Sequence, residues 1–194
     1  MNTGLFIHRE KETKTMKIIT EIKPFDEIVI NGKTVEIQQD EDPESPREWD
    51  NLGTILYSSD RYMLGDKRVD ADEIKQIASR NDVIALPVYA YIHSGVTVNT
   101  TGFECPWDSG QCGIIYVDFE TIRKEFGCKY ITKTVRTKIM SILRGEIETF
   151  DQYLRGDVYG YVVLDENGFT TGESCWGFYG EEAAKEAARE EIGE

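Results

Sequence analysis

The segment GIIYVDFETIRKEFG, residues 113–127, contains a strand signal, a helix signal and the residues that separate them. Residues 113–117 form a short apolar run of the kind found in buried strands. Asp118 follows at the position where a side-chain oxygen can accept hydrogen bonds from the first turn of a helix. Gly127 tolerates the left-handed conformation that ends many helices, so we expect a helix up to about Phe126. A strand that leads directly into a helix predicts mixed α and β structure.

Apolar runs on both sides of this segment predict further strands. The segment at 26–39, DEIVINGKTVEIQQ, has two alternating runs around Asn31-Gly32, a dipeptide that favours a tight hairpin turn. The segment at 83–101, VIALPVYAYIHSGVTVNTT, predicts a central strand, a Ser94-Gly95 turn and a second strand. Pro87 inside it indicates a bulge or a position at the sheet edge. Two further signals are a strand near Leu52–Tyr57 and a hairpin around Asn167-Gly168.

Helical periodicity is clearest between residues 133 and 155. Apolar residues there step by three and four along one face, as Val135, Ile139, Ile142, Leu143, Ile147, Phe150 and Leu154. Gly145 costs about 1 kcal/mol relative to alanine in a helix and predicts a kink or break. A capping Asp70 predicts a short helix within 69–80, and the Ala-rich segment after Glu181 predicts a C-terminal helix.

These signals predict a single α+β domain over residues 16–194, with a mixed or antiparallel sheet and three to four helices. Residues 1–15 are predicted to be a disordered extension, and the sequence leaves open whether Met1 or Met16 is the true start. No apolar run approaches the roughly 20 residues that span a bilayer, so no membrane partner is expected. Without a secretory signal, the four cysteines are predicted to be reduced thiols in the cytoplasm.

Charge is the most unusual feature of the composition, with a formal net charge of −14 over 194 residues. An acidic excess argues against ordinary binding to phosphate backbones and suits either solubility or contact with a basic surface. Seven carboxylates and one cation, Arg47, lie between Glu36 and Asp50. Pro43 and Pro46 exclude a helix interior there, so we predict an acidic loop or lid.

Residues 123–144 reverse this balance, with seven cations and one carboxylate, Glu125. One interpretation is that the stripe forms ion pairs with acidic residues of the same chain or of a symmetry-related copy, which allows a homodimer. The other is direct contact with nucleic acid. The residues assigned to that contact are Arg123, Lys124, Lys133, Arg136 and Lys138.

The loop TTGFECPWDSGQCGIIYV, residues 100–117, has the composition of a catalytic or metal-binding loop but not the spacing. Cys105 and Cys112 are too far apart for a typical structural zinc pair, so neither a metal nor a cofactor is predicted. No phosphate-binding glycine motif is present in the chain. A catalytic alternative places Cys105 beside His93 and Asp108 as nucleophile, base and orienting group. A disulfide between Cys105 and Cys112 stays open at this point.

The three tryptophans each lie near glycine, in REWDNLGT, ECPWDSGQCG and SCWGFYG. We predict that Trp49, Trp107 and Trp176 anchor one core, since a buried indole removes a large area from water. The alternative is that Asp50 and Asp108 cap loops on one shared binding face.

The WDNLGT, CPWDSGQ and SCWGF segments resemble a group of uncharacterised proteins of bacteriophages and mobile elements, over roughly residues 45–180. The resemblance implies a bacterial host cell and a counter-defence role, such as that of anti-CRISPR or antirestriction proteins, and transfers no site. The leading hypothesis is therefore an acidic protein that binds a host nuclease or defence complex and blocks its nucleic-acid site, more as a binding protein than as an enzyme. The residues assigned to that contact are Glu41, Asp42, Glu44, Asp50, Asp108, Glu181 and Glu182.

Overall fold

The computed structural model describes residues 24–193 as one α+β domain with two sheets and four α-helices. The strands are β1 Asp26–Ile30, β2 Lys33–Gln39, β3 Thr54–Tyr57, β4 Lys67–Arg68, β5 Val83–Ile92, β6 Val96–Asn99, β7 Ser109–Asp118, β8 Val158–Leu164 and β9 Thr170–Tyr179. The helices are α1 Ala71–Ala78, α2 Phe119–Phe126, α3 Lys133–Arg155 and α4 Glu181–Ile192.

The four-stranded sheet has the antiparallel order β1-β2-β8-β9 and packs one face against α4. The β1–β2 hairpin turns at Asn31-Gly32, where both residues have positive φ, as the sequence predicts. Alternate residues of β2 and β8 then point to the helix. The buried cluster on this face includes Val35, Ile37, Tyr161, Val163, Ala184 and Ala188. Alanines in α4 allow the helix to approach the sheet closely.

The five-stranded sheet has the order β4-β3-β7-β5-β6, antiparallel except for the short β3–β4 pair. Helices cover both faces, α3 with α2 on one and α1 on the other. The amphipathic face of α3 buries Ile139, Leu143, Ile147 and Phe150. Because β5 and the second half of β7 are covered on both faces, residues 83–92 and 113–117 are almost continuously apolar.

Residues 40–53, the acidic segment between β2 and β3, connect the two sheets, and we call this segment the strap. Its backbone pairs with the first sheet where Asp40 N donates to Val158 O at 2.8 Å, and the Tyr179 hydroxyl donates to Glu44 O. A short 3-10 helix, Pro46–Glu48, follows and carries Arg47 into contact with the second sheet and α3. The strap is therefore anchored to the rest of the domain through its backbone and Arg47, while the side chains of Glu41, Asp42, Glu44, Glu48 and Asp50 are exposed.

The predicted α+β class, the four helices and the caps at Asp70, Asp118 and Gly127 are confirmed. Pro87 lies next to the β-bulge at Val88/Tyr89, as one predicted alternative has it. It also precedes the part of β5 that pairs with β6, so one side of the strand has no partner strand at Pro87, as the predicted sheet-edge alternative has it. The prediction of a break at Gly145 is wrong, because α3 continues through it from Lys133 to Arg155, whereas the alternative of a kink there stays a prediction. The predicted extension 1–15 lies outside the described residues.

Candidate binding surfaces

Residues 119–144, which form α2, the loop after it and the first half of α3, contain cations that make no ion pair within residues 24–193. We call this region the basic surface. Its members are Arg123, Lys124, Lys129, Lys133, Arg136, Lys138 and Arg144. None of them lies within salt-bridge distance of a carboxylate in residues 24–193.

Eight cations elsewhere in the described chain do have carboxylate partners. They are Lys33, Arg47, Lys67, Arg68, Lys75, Arg80, Arg155 and Lys185. Carboxylates are in excess in this chain, so partners for the basic surface are not scarce. The interpretation that the stripe pairs with acidic residues of its own chain is therefore wrong for the described part. The interpretation that it pairs with a second copy stays a prediction.

Aromatic rings hold several of these cations in place. Phe119 has the Arg123 guanidinium at 5.9 Å and the Arg136 guanidinium at 5.6 Å from its ring centre. The Lys138 ammonium lies 5.1 Å from the centre of the Phe126 ring. These contacts connect α3 to α2 and fix the charges on one side of the helix pair, because a cation is attracted to the face of a ring. Lys124 and Lys133 lie over no aromatic ring of the described residues, so their charged groups take no part in the packing of α2 against α3.

The N-terminus of α3 adds positive potential to the same surface. Thr132 caps the helix by accepting a hydrogen bond from Val135 N at 3.3 Å. The first turns of α1, α2 and α4 all contain acidic residues, but the first turn of α3 contains none and begins with Lys133. The exposed amides of a helix N-terminus attract anions. A cation at this position is unfavourable for the helix itself.

The cysteine-containing loop does not assemble the predicted catalytic group. The Cys105 thiol lies 3.9 Å from an Asp108 carboxylate oxygen, so these two side chains are adjacent. The His93 ring stacks against Tyr91 at 6.2 Å, and within residues 24–193 its side chain has no hydrogen bond to either of them. The contact between a thiol and a carboxylate does not create a base for the thiol.

All four cysteines are free thiols, so no disulfide joins Cys105 to Cys112. Cys112 is the extra residue of the β5–β7 bulge, and its thiol lies 3.4 Å from Val88 O. Burial raises the pKa of the Cys112 thiol to about 11. This thiol therefore stays protonated near neutral pH, which is unsuitable for a nucleophile.

The tryptophans do not anchor one core, and that prediction is wrong. Trp49 and Trp176 are each 45% exposed, and Trp107 is 91% exposed. Trp49 packs edge-on against Tyr179 at 5.1 Å, whereas Trp176 covers Gly160 on the face of the first sheet that is opposite α4. The cores are instead built mainly from aliphatic residues, together with Tyr57, Phe150 and the tyrosines of β8.

The acidic residues assigned to partner contact lie in two regions. Glu41, Asp42, Glu44 and Asp50 are exposed on the strap, and Asp108 is exposed at the start of β7. The α4 residues are already engaged within the chain, because Lys185 contacts Glu181 and lies 3.7 Å from Glu182. The strap and the start of α4 are neighbours, since Tyr179 bonds to Glu44. Burial, together with the neighbouring Tyr153, Glu44 and Asp40, raises the pKa of Tyr179 to about 12.

A buried ion cluster around Arg47 is the main feature that the sequence analysis missed. The guanidinium donates two 2.8 Å hydrogen bonds to Asp66 and one of 3.2 Å to Glu146, and it also donates to Gly53 O at 2.6 Å. Glu146 in turn accepts from Leu52 N at 2.8 Å. Burial lowers the pKa of Arg47, but the two carboxylates outweigh it and the pKa is raised. The sign of this cluster in the sequence is that Arg47 is the one cation among seven carboxylates between Glu36 and Asp50.

Within residues 24–193, no group of three or more His, Cys, Asp or Glu side chains is arranged to hold a metal ion. No helix in the same range is long and apolar enough to cross a membrane. In comparisons with known proteins, no family model, curated protein or solved structure matches this chain. The resemblance to phage and mobile-element proteins therefore stays a prediction.

Proposed function

We propose that this protein is a nucleic-acid-binding protein that contacts phosphate groups through its basic surface. The observation that carries the proposal is the concentration of seven cations that form no ion pair within residues 24–193, in a chain whose net charge is −14. Such cations repel one another unless an external anion neutralises them. Phosphate backbones supply anions at the spacing that a row of Lys and Arg can follow.

The arrangement favours binding to the backbone over reading of the sequence. Four of the seven cations lie over aromatic rings, which limits their reach toward base edges. Lys124 and Lys133 are exposed and free of ring contacts, so they are the residues best placed for phosphate. The acidic remainder of the molecule repels nucleic acid and confines contact to this one surface.

The proposal is tested with the double variant Lys124→Glu/Lys133→Glu in fluorescence anisotropy with labelled DNA and RNA. We expect affinity to fall about tenfold and the salt dependence to become shallower, because each phosphate contact adds about one unit to the slope of log K against log salt. The variant leaves the cation–ring contacts intact, so the fold is retained.

The control is Arg61→Glu, which reverses one charge outside the basic surface, against two in the double variant. Arg61 is exposed, forms no salt bridge with a described residue and lies over the Tyr62 ring at 5.3 Å. Binding should survive this change. Equal losses in control and double variant, or no binding by the unchanged protein at low salt, would reject the proposal.

A second candidate is the acidic counter-defence protein that occupies the basic groove of a host nuclease. It is favoured by the exposed strap carboxylates Glu41, Asp42 and Glu44, which form no ion pair with the described residues. Carboxylates in this setting accelerate association with a basic partner more than they strengthen the complex. The test is inhibition of purified restriction and Cas nucleases, with Glu41→Gln/Asp42→Asn/Glu44→Gln as the variant. Full inhibition by the triple variant, or none by the unchanged protein, rejects this candidate.

A further inference from the structure

A pocket of about 390 Å³ lies where the cysteine-containing loop enters β7. Its floor is apolar, formed by Leu64, Ala90 and Ile92, whereas its rim is polar and aromatic. The rim includes Ser58, Ser59, Trp107, Asp108 and Gln111. The volume falls within the roughly 300–1,000 Å³ typical of ligand sites.

Trp107 is the most exposed of the large apolar side chains in residues 24–193, with 91% of its surface in contact with solvent. Its ring has no stacking or cation contact with another described side chain. Packing within the chain therefore does not account for a tryptophan at this position. Tryptophan is one of the residues that contribute most to binding at protein interfaces.

Asp108, the next residue, is an exposed carboxylate without a cation. Its described side-chain contact is the Cys105 thiol at 3.9 Å, which is a weak donor. No Lys or Arg lies between Arg80 and Arg123 in the sequence. Of the cations near Ser58 and Ser59 in sequence, Arg68 pairs with Asp60 and Arg61 lies over Tyr62.

We infer that this pocket, the Trp107 pocket, binds an arginine or lysine side chain of a partner protein. The aliphatic stem of such a side chain lies on the apolar floor, since long cationic side chains bury their stems and keep their charged ends in polar surroundings. The cationic end then meets the Trp107 ring and the Asp108 carboxylate. The site selects the charge opposite to that bound by the basic surface, so it does not depend on the proposed function.

The strand beside the pocket favours a protein over a small free cation. β3 pairs with β7 as far as Tyr57 opposite Gly113, and Ser58 N then donates to Cys112 O at 2.9 Å, so residues 109–111 of β7 continue beyond the end of this pairing. On their other side these residues pair with β5. An extended peptide can add to such an uncovered strand edge and present its side chain to the adjacent pocket.

The indole N–H signals of the full-length ¹⁵N-labelled protein test the inference directly. The chain has three tryptophans, so Trp49 and Trp176 are internal controls, and the variant Trp107→Phe assigns the third signal. The probes are N-acetyl-arginine amide and the peptide Gly-Gly-Arg-Gly-Gly. We expect a saturating shift of the Trp107 signal alone, and tighter binding of the peptide than of the amide.

Two variants of exposed residues separate the site from general attraction to an acidic protein. Asp108→Asn should weaken binding of the peptide about threefold, since an exposed ion pair contributes little more. Glu104→Gln, an exposed carboxylate of the same loop outside the pocket, should leave binding unchanged. Equal movement of all three indole signals without saturation, or equal effects of the two variants, would overturn the site. Equal affinity for the amide and the peptide would overturn the assignment of the ligand to a protein chain.

Discussion

The Arg47 cluster and the basic surface place the same type of side chain in opposite settings. Arg47 is 8% exposed and has two carboxylates and a carbonyl as partners. The cations of the basic surface have aromatic rings or solvent around them and no carboxylate in the described chain. A buried cation whose charge is neutralised by carboxylates stabilises the fold. Cations without carboxylate partners leave their charge available to another molecule. Four predictions test this difference.

The largest effect is expected for Arg47→Met. Removing one member of a buried ion cluster leaves Asp66 and Glu146 as uncompensated charges, which costs about 3–5 kcal/mol of unfolding free energy. Urea denaturation measures the loss. The control is Arg155→Met, since Arg155 is 47% exposed and its ion pairs contribute about 1 kcal/mol or less. Similar losses in both variants would mean that the Arg47 cluster is no more than a surface pair.

Glu146→Gln should have the next largest effect, a loss of about 1–3 kcal/mol in the same measurement. Glu146 accepts from Leu52 N and Gly53 N and also contacts Arg47. The amide keeps one acceptor oxygen but removes the charge that neutralises the guanidinium. A loss equal to that of Arg47→Met would show that the two residues act only as one pair.

Lys133→Glu should raise stability, by about 0.3–1 kcal/mol, because a carboxylate in the first turn of α3 complements the helix dipole. The same change should weaken binding to nucleic acid. Thermal denaturation and anisotropy on one preparation measure both effects, and Thr137→Glu, one turn further along the helix, is the positional control. A drop in stability would contradict the view that Lys133 is unfavourable for its own helix.

The smallest effect is expected for Lys138→Gln, a loss of about 0.5 kcal/mol from the contact with the Phe126 ring. Arg144→Gln, in the middle of α3 and without a ring contact among the described residues, should leave stability unchanged. The comparison separates the structural part of the basic surface from the part that is free to bind. Equal values for the two variants would remove that distinction.

Local signals predicted much of the fold. The caps at Asp70 and Asp118, the stop at Gly127 and the apolar stripe of α3 depend on neighbours within a few residues, so the sequence states them directly. The predicted hairpin around Asn167-Gly168 is present, but residues 165–169 form its loop in place of a two-residue turn. In this loop the Asp165 carboxylate accepts hydrogen bonds from Asn167 N and Phe169 N. The presence of two sheets was not predicted, because strand order depends on contacts between distant segments.

The candidate surfaces were only partly visible in the sequence. The excess of cations in 123–144 was evident, but whether they were neutralised depended on where the carboxylates lie in space. The tryptophans were assigned to the core from their residue type, and their exposure reflects the aliphatic residues that fill the core instead. The pocket at Trp107 combines segments from β3, β5 and β7, so no single stretch of sequence contains it.

The sequence by itself determined the mixed class of the fold, the ends of several helices and the uneven distribution of charge. These follow from local backbone preferences and from composition. The tertiary structure decided which charges are paired, which rings are exposed and which loop becomes a strap between two sheets. Those properties depend on distances between residues far apart in the chain, such as Arg47 and Glu146, and only the packed molecule sets them.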